Sequence, residues 1–67
     1  MILKHDYVLL CAIKRPGDKT YTEVTLLVKS KEHEDITTTA QKVLQEYTTL
    51  PLKELEITYF EVRKINN

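Results

Sequence analysis

A run of six apolar residues, Val8-Leu9-Leu10-Cys11-Ala12-Ile13, restricts the fold of this chain more than any other feature. Apolar residues at consecutive positions are typical of a strand that is covered on both faces. The residues Pro16-Gly17-Asp18 follow, and a Pro-Gly dipeptide marks a turn. The next segment, residues 19–29, alternates apolar and polar side chains, as a strand with one buried face does. Together the two segments predict a β-hairpin whose first strand is the more buried.

The alternation also predicts how the two strands of the hairpin align. With Pro16 and Gly17 at the tip of the turn, the expected cross-strand pairs are Leu9–Val24, Cys11–Thr22 and Tyr7–Leu26. A slip of one residue would place Glu23 on the buried face, so an even loop length is favoured. A four-residue loop keeps the same facing and is equally compatible with the pattern.

The hydrophobic period changes after residue 35. Apolar residues now recur at helical spacing and form one stripe: Ile36, Ala40, Val43, Leu44 and Tyr47. Asp35 precedes the stripe and is the predicted N-cap, and Pro51 cannot continue a helix. These signals predict a helix over about residues 36–49.

The last segment, about residues 54–65, alternates again and is the third predicted strand. The first two strands are predicted over about residues 5–14 and 19–30, so the element order is ββαβ. A right-handed crossover leaves the third strand parallel to the second, and it then pairs antiparallel with the free side of the first. We therefore predict a single α+β domain over residues 1–67. It is a three-stranded antiparallel sheet of order 2-1-3 with one helix packed on one face.

The sheet face that the helix leaves uncovered is predicted to be rich in apolar side chains. Alternation assigns the following residues to it: Val8, Leu10, Ala12, Tyr21, Leu27, Phe60 and Val62. Contiguous apolar surface of this kind marks an interaction site, whereas single exposed apolar residues need no explanation. The alternative is that so small a domain simply leaves apolar surface exposed and that the third strand faces the other way.

We interpret this uncovered face as a docking surface for a second copy of the chain or for a larger protein. The predicted partner-binding residues are Leu10, Tyr21, Leu27, Phe60 and Val62, with Arg15 and Lys19 as charges at the rim. The unpaired edges of the two outer strands offer a second route to association. The expected function is thus that of a small non-catalytic interaction protein, with a homodimer as one form.

A small nucleic-acid-binding module is the alternative function. Basic residues cluster at the hairpin tip and near the end of the third strand: Lys14, Arg15, Lys19, Arg63 and Lys64. Tyr21 and Phe60 on an open sheet can stack on bases. Against this reading, ten Lys and Arg balance ten Asp and Glu, and Glu23 and Glu56 dilute the same region.

The sequence offers no pattern for catalysis, for a cofactor or for a metal site. Ser30 is the only serine, and the two histidines, His5 and His33, are not spaced for a catalytic triad. The consecutive residues Glu32-His33-Glu34-Asp35 are the one cluster with metal-ligand chemistry, and we interpret them as the charged start of the helix. A single glycine excludes a Gly-rich phosphate loop. We therefore expect neither an enzyme nor a bound cofactor.

The only cysteine, Cys11, cannot form an intramolecular disulfide, and its apolar surroundings indicate a buried residue rather than a reactive thiol. No apolar run approaches the roughly 20 residues that a membrane-spanning helix needs. Residues 1–6 do not have the pattern of a signal peptide. We expect a cytoplasmic protein with no membrane partner.

The order of these elements resembles that of a known group of proteins. A hairpin, a helix opened by acidic residues with the pattern Ala40-x-x-Val43-Leu44-x-x-Tyr47, and a final strand are similar to the small phage-encoded proteins that take over host machinery. The inhibitor of bacterial RNA polymerase made by podophages is of this type. The resemblance covers nearly the whole chain but consists of element order and periodicity. The resemblance implies a ββαβ fold, an origin in a phage or mobile element, and binding to a larger protein. It assigns no functional residue.

Overall fold

The computed structural model describes residues 7–31 and 33–65. The elements in chain order are strand β1 (Tyr7–Lys14), strand β2 (Thr22–Val28), helix α1 (Ile36–Thr48), one turn of 3₁₀ helix (Leu52–Glu54) and strand β3 (Glu56–Lys64). The sheet has the order β2-β1-β3, and both outer strands are antiparallel to β1. The predicted α+β fold, ββαβ with sheet order 2-1-3, is confirmed.

Strands β2 and β3 are shorter than the sequence pattern predicts. β2 covers residues 22–28 rather than 19–30, because the preceding loop uses more of the chain than a tight hairpin would. β3 covers residues 56–64 rather than 54–65, because Leu52–Glu54 forms a helical turn first. The helix ends one residue earlier than predicted, and the predicted start of the first strand at residue 5 lies outside the described residues.

The hairpin register differs by two residues from the predicted one. Pro16 and Gly17 do form a turn, in which the Asp18 N–H donates to the Arg15 carbonyl at 2.9 Å. Pairing with β1 nevertheless begins only at Thr22, so the loop is longer than either predicted length. The observed pairs are Tyr7–Val28, Leu9–Leu26, Cys11–Val24 and Ile13–Thr22. Because the shift is an even number of residues, both strands keep their predicted facing.

The turn depends on the backbone conformation of Gly17, whose φ is 91°. An added Cβ there would meet no atom within 4 Å, so a side chain would cost only backbone strain. We expect Gly17→Ala to lower the free energy of unfolding by about 1 kcal/mol, measured by urea denaturation. The exposed loop residue Lys19 is the control, and Lys19→Ala should have an effect within about 0.5 kcal/mol of zero. Equal stability of Gly17→Ala and the parent chain would contradict this role of the turn.

The core lies between the sheet and α1. Its buried residues are Leu9, Cys11, Ile13, Val24, Val28, Ala40, Leu44 and Leu55. Cys11 is completely buried, which confirms the sequence-based interpretation, and burial raises the pKa of its thiol. A buried thiol with a raised pKa is a packing residue, because the thiolate is the reactive form.

The buried stripe of α1 differs from the predicted one at its C-terminal end. Tyr47 is 52% exposed, and Thr48 is buried in its place. The buried positions Ala40, Leu44 and Thr48 follow an i, i+4, i+8 line along the helix. Thr48 tolerates burial because its hydroxyl donates to the Gln45 carbonyl at 3.3 Å.

The start of α1 is held by Glu34 rather than by the predicted N-cap side chain. Asp35 occupies the N-cap position, but its side chain makes no capping hydrogen bond. The Glu34 carboxylate accepts hydrogen bonds from the Lys42 ammonium at 2.6 Å and from the Thr39 hydroxyl at 3.0 Å. These two hydrogen bonds lower the pKa of Glu34, and the one from Lys42 has the larger effect. Of the predicted acidic cluster, Glu32 lies outside the described residues.

β3 faces the core with different residues from those predicted. Ala12 pairs with Tyr59 and Ile13 with Ile57, so Thr58 is an extra residue that forms a β-bulge. After the bulge, each side chain of β3 points to the opposite face from the one that strict alternation starting at Ile57 would give it. Phe60 and Val62 consequently pack against the core, and their predicted place on the uncovered face is wrong.

Candidate docking face of the sheet

The sheet face away from α1, called the open face below, is built from cross-strand rows of side chains. Each row takes one residue from β2 or the residue just before it, one from β1 and one from β3. The rows are Tyr21-Lys14-Glu56, Glu23-Ala12-Tyr59, Thr25-Leu10-Glu61 and Leu27-Val8-Arg63. The hairpin loop lies next to the first row, and the opposite end of the sheet carries the last.

Three of the predicted partner-binding residues lie on the open face. Leu27 is 55% exposed, Tyr21 is 43% exposed, and Leu10 is half-buried between its neighbours on the outer strands. Tyr59, 44% exposed, also lies there and was missed by the sequence pattern. The bulge that turns Tyr59 outward occurs at Thr58, where no glycine or proline marks it in the sequence.

An apolar path crosses the open face diagonally. It begins at Leu27, which lies directly opposite Val8, and continues along β1 through Leu10 to Ala12. Ala12 is in turn paired with Tyr59 on β3. The path is narrower than the predicted apolar face, because its flanking positions hold charged and hydroxyl side chains.

Polar contacts tie together the first row of the open face. The Tyr21 hydroxyl donates to Glu56 Oε1 at 3.0 Å, and this hydrogen bond raises the pKa of the Tyr21 phenol. Lys14 lies between them, with its Nζ 5.4 Å from the centroid of the Tyr21 ring and 3.8 Å from Glu56 Oε1. The side chain of Lys14 thus links Tyr21, the residue just before β2, to Glu56 at the start of β3.

At the opposite end of the open face, Arg63 is also neutralised by a neighbour. Its Nε donates to Glu61 Oε2 at 2.9 Å, within β3. Glu23 is the remaining charged side chain of the face, and it is exposed on β2. The open face therefore carries little net charge and has its cations already paired.

The basic residues proposed for nucleic-acid binding are not brought together. Lys14 and Arg63 lie in the first and last rows of the open face, with the length of β1 between them. Arg15 and Lys19 belong to the hairpin loop, and Lys64 pairs with Tyr7, on the side of the sheet that faces the helix. A backbone-tracking groove needs a continuous basic surface, and these positions do not form one.

The two edges of the sheet differ in their regularity. β2 pairs with β1 in one uninterrupted register, and Glu23 is its only charged residue. β3 contains the bulge at Thr58 and several charged residues. Bulges and charges are the features that protect an edge strand from pairing with another chain, so β2 is the less protected edge.

No group of three or more His, Cys, Asp or Glu side chains among residues 7–31 and 33–65 could hold a metal ion. Over the same ranges, no helix is both long enough and apolar enough to span a membrane. Comparison with protein-family models, with curated proteins and with solved structures found no match to this chain.

Proposed function

We propose that this chain is a non-catalytic interaction protein that associates with a second copy of itself through its sheet. The observation that carries the proposal is the incompleteness of the sheet. Its helix covers one face only, and the outer edges of β2 and β3 have no partner strand among the described residues. Leu27, Tyr21 and Tyr59 are exposed on the other face.

The composition of the open face fits contact with protein. Aromatic and aliphatic side chains surrounded by polar ones are the usual arrangement of protein–protein interfaces. Lys14 is within ion-pair distance of Glu56, and Arg63 contacts Glu61. Since the chain also has a formal net charge of zero, two copies do not repel one another at long range.

Because the core of this domain is small, dimer formation should add measurably to its stability. A domain of this size buries only about 60% of the surface that its unfolded chain exposes. Each additional Å² of apolar surface removed from water contributes about 25 cal/mol. Because a dimer buries surface that the unfolded chain exposes, the midpoint of thermal unfolding should depend on protein concentration.

The test is the molar mass of the isolated chain by sedimentation equilibrium at low to high micromolar concentration. We expect the mass to rise from 7.9 kDa toward twice that value, with a parallel rise in the unfolding midpoint. A chain that stays at the monomer mass at the highest concentration contradicts the proposal.

The purified chain also allows two other kinds of partner, a larger host protein and nucleic acid, to be considered separately. A larger host protein, which the resemblance to phage proteins implies, is absent from the purified chain, so dimer formation there cannot depend on it. Nucleic acid remains the second candidate because Lys14 lies over the ring of Tyr21 beside the basic hairpin loop. Salt-sensitive binding of single-stranded oligonucleotides would support that function, and binding that does not change with salt would contradict it.

A further inference from the structure

The unpaired edge of β2 has the properties of a strand-pairing surface. We infer that β2 pairs antiparallel with β2 of a second copy, about a two-fold axis at Leu26, and joins two three-stranded sheets into one continuous sheet. This inference rests on the proposed self-association and specifies the surface and register that it uses. The open faces of both copies then lie side by side and stay accessible.

The first argument is the composition of the edge. β2 has the sequence Thr-Glu-Val-Thr-Leu-Leu-Val, which contains no proline and is rich in residues that favour strands. An edge strand exposes a row of backbone groups that can pair with another strand. β3, the other edge, has its bulge at Thr58 and carries four charged side chains, Glu56, Glu61, Arg63 and Lys64, in the strand itself.

The second argument is the charge pattern of self-pairing. With the axis at Leu26, the residue pairs between the copies are Glu23–Lys29, Val24–Val28, Thr25–Leu27 and Leu26–Leu26. Glu23 of each copy then lies opposite Lys29 of the other, and this ion pair occurs twice. The exposed Leu27 gains Thr25 of the second copy as a cross-strand neighbour, and such pairs are what stabilise sheets.

Two-fold axes nearer the start of the strand lack this complementarity. An axis at Thr25 places Glu23 opposite Leu27 and Lys29 opposite Tyr21. An axis at Val24 places Lys29 opposite Lys19, so that two like charges face each other. An axis at Leu27 would place Glu23 opposite Lys31, but it pairs only residues 26–28 of the two strands, against 24–28 for the axis at Leu26. The two-fold symmetry requires each pairing to occur twice, which doubles the difference between registers.

The third argument separates edge pairing from face-to-face packing. Stacking one open face on another would remove Glu23, Glu61 and Arg63 from water, together with the first row, and charges taken out of water are costly to bury. Pairing along β2 leaves these side chains at the solvated surface. The charged residues beside the apolar path therefore favour association through the β2 edge over stacking of two open faces.

Charge reversal provides the test, with the dissociation constant of the dimer measured by sedimentation equilibrium. Glu23→Lys and Lys29→Glu should each weaken the dimer about tenfold, since each places like charges opposite one another at two sites. The double variant Glu23→Lys/Lys29→Glu restores opposite charges and should return the dissociation constant to near the parent value. The matched control is Glu61→Lys/Arg63→Glu, a reversal within one ion pair on β3, which should leave dimerisation unchanged.

The results distinguish failure of this inference from failure of the proposed function. A dimer in which the double variant is no stronger than the single variants overturns the β2 register, while self-association stands. The same holds if the dimer is insensitive to these reversals but is weakened by Tyr59→Ser on the open face, with Tyr47→Ser on the helix as the control aromatic. A parent chain that is monomeric at high micromolar concentration overturns both proposals.

Discussion

Replacing Leu9 with alanine is expected to lower the free energy of unfolding by about 3 kcal/mol. Leu9 is completely buried at the middle of β1, where it lies opposite Leu26 on one side and Val62 on the other. Truncation leaves a cavity between the sheet and α1 that both neighbouring strands prevent from closing. For a domain of this size the loss corresponds to a fall of roughly 12–24 °C in the unfolding midpoint, measured by circular dichroism at low micromolar concentration.

The adjacent residue is the matched control for this experiment. Leu10 has the same side chain on the same strand, but it points to the open face and is half-buried. Leu10→Ala should lower the free energy of unfolding by only about 1 kcal/mol. A half-buried leucine contributes less buried apolar surface than Leu9 does, and water can fill the space that the truncation leaves. Similar losses for the two variants would contradict the assignment of the two faces of β1.

The fold could be predicted from the sequence because its strongest signals are periodic. The apolar run of β1, the alternation of β2 and the helical stripe of α1 each fix an element type, and the crossover rule then orders the strands. The predicted hairpin register was wrong by two residues, yet the predicted face of each side chain in β1 and β2 was correct. Burial of one face excludes a shift of one residue but allows a shift of two, so it does not determine the length of the loop. Loop length depends on local contacts such as the hydrogen bond that the Arg15 N–H donates to the Asp18 carboxylate, which the pattern does not contain.

The facing of β3 could not be predicted, because a single inserted residue inverts every position beyond it. A β-bulge results from how the strand twists against its neighbour, and Thr58 has no sequence signature that distinguishes it from a regular strand residue. For the same reason, the open-face residues were predicted correctly on β1 and β2, where alternation is uninterrupted, but not on β3. Leu10 and Leu27 were placed correctly, whereas Tyr59 was missed.

The bulge leads to the second large expected effect, at neighbouring aromatic residues of β3. Phe60→Ala should lower the free energy of unfolding by about 2 kcal/mol, because Phe60 packs against the core and truncating a buried aromatic leaves a large cavity. The value is below that of a fully buried phenylalanine, since Phe60 keeps part of its surface in water. Urea denaturation at low micromolar concentration measures the loss without a contribution from association.

Tyr59→Ala is the control, because it removes an aromatic ring of similar size one position away. Tyr59 is 44% exposed on the open face, so its truncation should cost under about 1 kcal/mol. A strand without the bulge predicts the reverse order, with Tyr59 in the core and Phe60 at the surface. A larger loss for Tyr59→Ala than for Phe60→Ala would therefore contradict the bulge at Thr58 and restore Phe60 to the open face, where it would again be a candidate contact for a partner.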